Sequence, residues 1–282
     1  MQIIRSAGEM QAWALARRGE GRRIGLVPTM GFLHEGHLSL VRIAKAQADL
    51  VVLTLFVNPT QFGPNEDLER YPRDFARDAA LCEAEGVDVL FAPPNEEVYF
   101  ADHSVYLTES QLSVGLCGGS RPVHFRGVLT VVAKLFLLTQ PHVAVFGEKD
   151  AQQIRVIRRM VRDLNFPVEI VGGPIVREAD GVAMSSRNKN LDAASRAVAP
   201  RLSQALFAAR DAFAAGERDL ESLRGRVLEV LGDLTPGALD YLELVDDETL
   251  MPVRGVWQRP VLMALAVRFP GVRLIDNLTL KG

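Results

Sequence analysis

A run of eight residues, 50–57, limits the folds that are open to this chain. It reads Leu-Val-Val-Leu-Thr-Leu-Phe-Val, so almost every side chain is apolar. A strand with one face in water alternates apolar and polar residues, whereas a strand covered by helices on both faces is apolar throughout, as in parallel sheets. Residues 24–27, 87–91, 143–147 and 168–171 form similar short apolar runs, and helical patterns separate them. This alternation predicts right-handed βαβ units and an α/β fold with a Rossmann-like parallel sheet.

The pattern changes after residue 174. Residues 195–231 predict two helices broken near Gly216, and residues 239–245, 261–269 and 272–275 predict a small antiparallel sheet. We therefore expect a Rossmann-like domain over residues 1–175 and a smaller α+β domain over residues 176–282.

Composition excludes several classes of function. The 282 residues are 48% hydrophobic and 24% charged, with a net charge of −3, so no broad electrostatic attraction to nucleic acid or to a membrane is expected. Two cysteines, Cys82 and Cys117, form neither a disulfide framework nor a zinc site and favour a reducing compartment. The first residues lack a signal peptide, and no apolar run approaches the ~20 residues of a membrane span. We expect a cytoplasmic protein that acts on small molecules.

Residues 24–38 carry the most informative motif. A strand pattern leads through Gly31, His34, Gly36 and His37 into a helix pattern that begins near Leu38. A glycine-bearing turn between a strand and a helix start brings backbone N–H groups together at a place that suits an anion. Because the histidines are three residues apart, both rings point to roughly one side of a helical turn.

Three interpretations of this motif compete. The first is a strand, turn and helix with incidental histidines. The second, a metal site, lacks a Cys/His cluster for a third ligand. The third is a phosphate site. Gly31 and Gly36 have the spacing of a P-loop, but His37 stands in place of the lysine, and no G-x-G-x-x-G follows the strand. The His-x-Gly-His sequence resembles the signature of the nucleotidyltransferase superfamily, whose imidazoles hydrogen-bond ATP phosphates.

Two further places offer polar groups next to predicted strand ends. Lys149, in the sequence Gly-Glu-Lys-Asp at 147–150, provides a cation for a phosphate, although Asp150 as a helix cap beside a solvated Lys149 explains the same residues. Gln61 and Gln153 each carry paired donor and acceptor atoms that suit a hydroxyl or a carboxylate. The arginines at 155, 158, 159 and 162 lie beside an apolar stripe of Ile154, Ile157, Val161 and Leu164 and predict a solvated helix face, not a nucleic-acid site.

Residues 177–188 have small side chains, two hydroxyls and an arginine, which favour either a flexible clamp for a triphosphate or a hinge loop with a helix cap. Met184-Ser185-Ser186-Arg187 resembles the second nucleotidyltransferase signature, commonly Lys-Met-Ser-Lys-Ser. Ala183 replaces its first lysine, and Arg187 takes the cationic role.

In this order, the motifs resemble those of the pantothenate synthetase family, the pantoate–β-alanine ligases. The matching segments are 28–37, 56–62, 71–73, 124–127, 147–150 with 152–153, and 177–188. Ala151, Asp74 and Asn190 depart from the family pattern, at positions expected to affect packing and not chemistry. No motif of the C-terminal third is matched.

The resemblance implies ATP-dependent ligation of (R)-pantoate and β-alanine to pantothenate, through a pantoyl adenylate and with release of pyrophosphate and AMP. It implies Mg²⁺ on the phosphates, a homodimer, and a role for residues 176–282 as a lid over a nucleotide- and pantoate-binding domain. An adenylyltransferase with a stable dinucleotide product would not be expected to have residues 58–62 and 152–153 in this arrangement. A binding module without turnover is disfavoured by the presence of His37 and Lys149.

The resemblance also implies roles for individual residues. His37, His34 and Lys149 are expected to be catalytic. Gln61 and Gln153 are expected to bind pantoate, with Arg121 and His124 near the phosphates or the entering amine. The expected ATP contacts are Met30, Gly31, Phe32, Leu33, His34, Glu35, Gly36, His37, Gly147, Glu148, Lys149, Asp150, Val176, Met184, Ser185, Ser186 and Arg187.

Overall fold

The computed structural model describes residues 1–64, 66–255 and 259–281. The chain forms two compact units. The first comprises residues 1–148 and 153–174, and the second comprises residues 149–152 together with the chain from residue 175 onward.

The first unit is built on a parallel sheet of six strands, which confirms the predicted α/β class. In chain order the strands are β1 (Gln2–Ile4), β2 (Ile24–Thr29), β3 (Leu50–Leu55), β4 (Val89–Phe91), β5 (Val143–Gly147) and β6 (Glu169–Gly173). Their spatial order is β1-β4-β3-β2-β5-β6, and each neighbouring pair is parallel. The chain winds one way from β2 to β3 and β4 and the other way from β5 to β6. The switch point therefore lies between β2 and β5, and open α/β sheets bind ligands at the carboxyl ends of the strands around such a point.

Helices connect these strands. They are α1 (Ala7–Gly19), α2 (Glu35–Lys45), α3 (Phe75–Ala84), α4 (Asn95–Val98), α5 (Leu116–Ser120), α6 (His124–Thr139) and α7 (Ala151–Asp163), with 3-10 turns at Pro59–Gln61 and Glu148–Asp150. Leu40, Val41 and Ala44 of α2 pack against the buried side chains of β2, β3 and β5. This packing fixes the start of α2 relative to the sheet.

The sequence pattern of residues 72–85 predicts a helix with Phe75, Ala79 and Cys82 on one side. This prediction is wrong at Phe75, which is 39% exposed. Asp78, one turn further on, is buried instead at 2% exposure. Helix periodicity sorts side chains by polarity, and it cannot recognise a carboxylate that is buried because backbone N–H groups elsewhere in the fold bind it.

The predicted apolar stripe of α7 is wrong at its last member. Leu164 is 52% exposed because α7 ends at Asp163 and the chain turns through Asn165, which has a left-handed φ of 54°. Met160 is buried on this helix together with Ile154 and Ile157.

The second unit contains an antiparallel sheet of β7 (Ala238–Asp246), β8 (Val261–Phe269) and β9 (Val272–Leu280), in that order. Its helices are α8 (Ala193–Val198), α9 (Arg201–Ala214) and α10 (Leu220–Leu231), with a 3-10 turn at Asn188–Asn190. The core of the unit lies between α9, α10 and the sheet. Strand β9 continues to Leu280, whereas the sequence predicts its end at residue 275. The prediction ends too early because the buried polar pair Asp276 and Asn277 interrupts the apolar pattern of the strand.

Within the described part of the chain, no helix has the length and apolar character that crossing a membrane requires.

Candidate active site

The chain reverses sharply where it leaves β2. Gly31 and Phe32 have φ angles of 85° and 53°, and α2 begins at Glu35. Glycine adopts this left-handed conformation at little cost, whereas Phe32 does so only when its surroundings hold it there. The turn lies at the carboxyl end of β2, beside the switch point of the sheet.

A carboxylate from α3 holds this turn. Phe32 N donates to Asp78 Oδ2 at 2.6 Å, and Leu33 N donates to Asp78 Oδ1 at 2.8 Å. Gly31 N donates to Thr29 Oγ1 at 3.2 Å. Three successive N–H groups of the predicted anion-binding turn are thus bound to the protein's own oxygens. The contacts predicted between these three residues and ATP would have to use other atoms.

The two histidines lie at the start of α2. His34 is the N-cap residue, and its backbone N–H donates to His37 Nδ1 at 3.3 Å. The ring centroids are 4.0 Å apart, and both side chains are half-buried. Because Nδ1 of His37 accepts an N–H, the neutral ring carries its proton on Nε2. His37 therefore presents Nε2–H as a donor close to the positive end of the α2 dipole, where anions are favoured.

Asn58 and Gln61 follow β3 and are both buried. Asn58 Nδ2 donates to Gly127 O at 3.0 Å and to Gln61 Oε1 at 3.1 Å, and Asn58 Oδ1 accepts from Thr60 N at 3.3 Å. A carbonyl can only accept and a backbone N–H can only donate, so these two partners distinguish the oxygen and nitrogen of the Asn58 amide. Tyr99 supports the same orientation by donating its hydroxyl to Asn58 Oδ1 at 2.9 Å.

The orientation of Asn58 determines that of Gln61. Since Asn58 offers an N–H, Gln61 must turn its Oε1 toward it, and this places Gln61 Nε2 on the other side. That nitrogen lies 3.2 Å from the Sδ of Met30, the residue that follows β2. Thioether sulfur is a weak acceptor, so Gln61 presents a donor to this region that is little used.

The first turn of α6 closely approaches the Gln61 turn. A Cβ on Gly127 would lie 2.4 Å from Thr60 O, so only glycine permits this approach. His124 Nδ1 is 3.0 Å from Gln61 O, and Arg121 Nη2 donates to the same carbonyl at 3.4 Å. Both residues are predicted to bind substrate. In the structure, both contact the backbone carbonyl of Gln61, the residue that is predicted to bind pantoate.

Arg121 also forms an ion pair with Glu66, with Nε–Oε1 and Nη2–Oε2 distances of 2.7 and 2.5 Å. Burial raises the pKa of Glu66, but the hydrogen bonds and charge of Arg121 outweigh this effect and bring the pKa below its ordinary value. Glu66 is therefore ionised near neutral pH and compensates much of the Arg121 charge.

A cavity of about 490 Å³ opens at the carboxyl ends of β2 and β3. Met30 and Gly31 border it on the β2 side, and Phe56 and Pro59 border it on the β3 side. The cavity thus lies beside the histidine motif and the Gln61 turn, and it is large enough for a small organic acid.

The remaining phosphate-binding candidates follow β5 or belong to the second unit. Gly147 ends β5, Glu148 is exposed and Asp150 is half-buried. Lys149 is half-buried, and its backbone carbonyl accepts from Asn277 Nδ2 at 2.8 Å. Gln153 is half-buried in the first turn of α7.

Residues 176–184 form a hairpin, with Val176 O accepting from Met184 N at 2.9 Å and Glu178 N donating to Val182 O at 2.8 Å. Asp276 of β9 holds its base, since both carboxylate oxygens accept from the Arg177 guanidinium at 2.6 and 2.9 Å. The predicted flexible segment is therefore held at residues 177–184.

Residues 185–187 follow this hairpin. Arg187 N donates to Ser185 Oγ at 3.2 Å, and Ser186 is buried. The segment predicted to be flexible is thus hydrogen-bonded or buried over much of its length.

Among residues 1–64, 66–255 and 259–281, no group of three or more His, Cys, Asp or Glu side chains is arranged to hold a metal ion.

The family model described as pantoate-beta-alanine ligase matches residues 2–279. The chain belongs to the pantoate–β-alanine ligase family. It is therefore an enzyme of the ligase class, as the motifs predict.

Relatives and solved structures agree with this family. The pantothenate synthetase of Thermotoga petrophila is 53% identical over 277 residues, which are 98% of this chain and 99% of that protein. The Heliobacterium modesticaldum enzyme of the same name is 52% identical over 281 residues and 100% of each chain. The crystal structure of pantothenate synthetase from Thermus thermophilus covers 100% of both chains with a TM-score of 0.94 at 48% identity. The Francisella tularensis pantoate-beta-alanine ligase, complexed with beta-gamma ATP and beta-alanine, covers 99% of this chain and 97% of its own, with a TM-score of 0.79 at 32% identity.

Several residues that bind the candidate residues of this pantoate–β-alanine ligase, or support them, were not among the predicted site residues. Asp78, Tyr99, Asp276 and Asn277 are each buried and bound to candidate residues or to their immediate support. Their partners are far away in sequence, so no local spacing marks them. Asn58 was part of the matched segment 56–62 and could have been singled out by its place directly after a buried strand.

Proposed function

We propose that this chain joins pantoate to β-alanine with consumption of ATP, through an enzyme-bound pantoyl adenylate. The family to which the chain belongs is named for pantoate and β-alanine, and the Francisella relative is described with an ATP ligand and beta-alanine. The observation that carries the proposal is the donor orientation of Gln61 beside Met30, which suits the carboxylate or hydroxyl oxygens of pantoate.

In the first step a pantoate carboxylate oxygen attacks the α-phosphorus of ATP, and the bond to the bridging oxygen of pyrophosphate breaks. Such transfers depend on positioning and on stabilising charge. His37 Nε2–H donates to a phosphate oxygen, with His34 beside it. Lys149, Ser185, Ser186 and Arg187 provide the further cations and hydroxyl donors that the phosphates require.

In the second step the amine of β-alanine attacks the carbonyl carbon of the adenylate. The bond from that carbon to the AMP oxygen breaks, the nitrogen loses a proton, and pantothenate and AMP are released. Adenylation makes this possible because AMP is a good leaving group and a free carboxylate has none. Gln61 and Gln153 hold the pantoyl group through both steps, and Arg121 and His124 keep the Gln61 turn in place.

The proposal includes Mg²⁺, a homodimer and a cytoplasmic location. Mg²⁺ binds few protein carboxylates when substrate phosphates are present. This behaviour agrees with the lack of a cluster of metal ligands among the described residues. Mg²⁺ bound to ATP would supply positive charge to the phosphates. Light scattering of the purified protein tests the dimer.

Pyrophosphate exchange tests the order of the steps. With Mg²⁺, ATP and pantoate alone, the enzyme should incorporate labelled pyrophosphate into ATP, because adenylation is reversible while the adenylate stays bound. Adding β-alanine should convert the adenylate to pantothenate and AMP. Exchange that strictly requires β-alanine contradicts a separate adenylation step, and a nucleotide-binding module would show no exchange at all.

A further inference from the structure

The carboxylate of Asp78 lies on a different element from the histidine motif and does not belong to any proposed step. It is 2% exposed and accepts the N–H groups of two consecutive residues, Phe32 and Leu33, at 2.6 and 2.8 Å. The residue that follows them is His34. Asp78 thus binds the last part of the backbone before the two histidines.

Phe32 shows why such a bond is needed. Its φ of 53° is disfavoured for a residue with a Cβ, and it persists only where the surroundings hold it. Asp78 supplies one part of that support. Arg77, the preceding residue, supplies another, because its Nη2 donates to Leu33 O at 2.8 Å and its guanidinium carbon lies 5.1 Å from the centre of the Phe32 ring.

Gly31 completes the arrangement. A Cβ on this residue would lie 3.1 Å from Asp78 Oδ2, so the carboxylate packs closely against the turn. One turn of α3 therefore holds Phe32 and Leu33 through two N–H groups and one C=O group, while Gly31 packs against the same carboxylate. The backbone N–H of His34 then meets His37 Nδ1 at 3.3 Å, which sets the tautomer of the His37 ring.

We propose that Asp78, assisted by Arg77, is a positioning residue that holds the turn before α2 so that His34 and His37 are correctly placed for adenylation. The proposal rests on the proposed function, because the histidines that Asp78 positions are the proposed transition-state donors of that reaction. Asp78 borders the cavity at the carboxyl ends of β2 and β3, but both of its carboxylate oxygens are bound to the backbone of the turn. It acts through the backbone that precedes the histidines.

Asp78→Asn is the test variant. The amide has the same shape, but its NH₂ would face one of the two N–H donors, so one hydrogen bond is lost and two donors oppose each other. A backbone displacement near a reacting group can cost about a hundredfold in rate. We expect single-turnover formation of pantoyl adenylate to slow by roughly ten- to a hundredfold, while the pantoate KM changes little.

Asp246→Asn is a matched control. Asp246 is 7% exposed, and its Oδ1 accepts the N–H groups of the consecutive residues Glu248 and Thr249 at 3.1 and 2.7 Å. It lies in the second unit. The loss of a buried negative charge is therefore repeated at a carboxylate that does not bind the histidine turn, where one amide oxygen can still accept both N–H groups. Adenylation should keep its wild-type rate.

A second measurement reports on the ring directly. The chain has five histidines, so their ¹⁵N signals can be assigned by single substitutions. His37 should show the Nε2–H tautomer in the wild type and in Asp246→Asn, and a mixture of tautomers in Asp78→Asn. If Asp78→Asn does not fold, Arg77→Ala serves instead. The Arg77 side chain is 44% exposed, and its loss should shift the same signal to a smaller extent.

A double-mutant comparison separates this proposal from the proposed function. If Asp78 acts through His37, Asp78→Asn should cost less than about threefold once His37→Ala is present. Full additivity of the two losses would overturn the proposal, as would wild-type adenylation together with a wild-type His37 signal in Asp78→Asn. If His37→Ala alone adenylates pantoate at the wild-type rate, the proposed role of the histidine fails, whatever Asp78 does.

Discussion

Replacing Gln61 by glutamate tests the orientation on which the pantoate assignment rests. The two side chains have the same shape, and Asn58 Nδ2 can donate to a carboxylate oxygen as it now donates to Gln61 Oε1 at 3.1 Å. The side chain should therefore stay in place. The change is confined to the other end, where the NH₂ group near Met30 becomes a negatively charged oxygen.

The size of the effect follows from what that end faces. If it donates to the carboxylate of pantoate, the substitution removes a hydrogen bond to a charged group, worth about 1.5–3 kcal/mol. It also opposes two negative charges, which costs about 4 kcal/mol at ~4 Å with an effective dielectric constant of about 20. The sum of about 5.5–7 kcal/mol corresponds to a fall of roughly four to five orders of magnitude in kcat/KM for pantoate. Gln61→Ala loses only the first contribution, about ten- to a hundredfold.

The two variants are compared by initial rates at saturating ATP, with pantoate varied. The ATP Kd, measured by calorimetry, should stay within about twofold of wild type in both, because the charges of the phosphate site are left intact. Gln111→Glu, at an exposed position in the same unit, adds the same charge and should behave as wild type. Burial and a neighbouring anion both raise the pKa of the new carboxyl group, so the Gln61→Glu defect should shrink as the pH is lowered.

The ranking of the variants decides the result. Gln61→Glu should be about a thousandfold worse than Gln61→Ala, from the ~4 kcal/mol of charge repulsion alone. If glutamate is equal to or better than alanine, the donor end of Gln61 does not face the pantoate carboxylate, and the orientation derived from Asn58 is not the one used for substrate binding. Loss of ATP binding with unchanged use of pantoate would show that Gln61 belongs to the nucleotide site.

Three further outcomes are expected. His37→Ala should slow single-turnover adenylation by roughly a hundred- to a thousandfold, the scale for one preorganised donor, and near-wild-type speed would contradict its role. Hydrogen exchange should slow at residues 185–187 when ATP is saturating and change little in the hydrogen-bonded hairpin before them; unchanged exchange at 185–187 would count against a phosphate clamp. Burial, aided by the charge of Asp78, raises the pKa of the Cys82 thiol from 9.0 to about 12, so the unfolded chain ionises first as the pH rises. The stability due to the neutral thiol is therefore complete below pH 9 and lost between pH 9 and 12, and thermal unfolding of Cys82→Ala should lack this part of the pH dependence.

Much of the sheet could be predicted because strands covered on both faces are apolar throughout. Strand β3 is the clearest example, and its run of apolar residues needs no knowledge of its neighbours. Strand β1 has three residues, two of them exposed, and it pairs with β4 at the edge of the sheet. Such a short edge strand has no pattern of its own. Its existence depends on the strand to which it binds.

The candidate site residues also fall into two groups: those marked by a local sequence motif, and those whose role depends on partners far away in the sequence. His34, His37, Gln61 and Lys149 could be predicted as site residues because their motifs are local in sequence. Asp78 could not, because a buried carboxylate on a helix has the same sequence pattern as a solvated one. What buries it is the backbone of residues about 45 positions earlier. Asp276 and Asn277 of β9 are a similar case, since they bind Arg177 and the main chain of Lys149 from the end of the chain.

The contacts of Asp78 also suggest a reason why a motif with P-loop spacing has a histidine where a P-loop has its lysine. A P-loop surrounds phosphates with backbone N–H groups and adds a lysine. Here the N–H groups of Phe32 and Leu33 are bound to an internal anion, so they offer phosphate little. In the proposed reaction, charge stabilisation would then come from side chains whose donors are set in advance. His37 suits this proposed role because a backbone N–H on Nδ1 keeps its proton on Nε2. A lysine at position 37 would carry charge but could not accept the His34 N–H, so the turn would lose a bond that the imidazole provides.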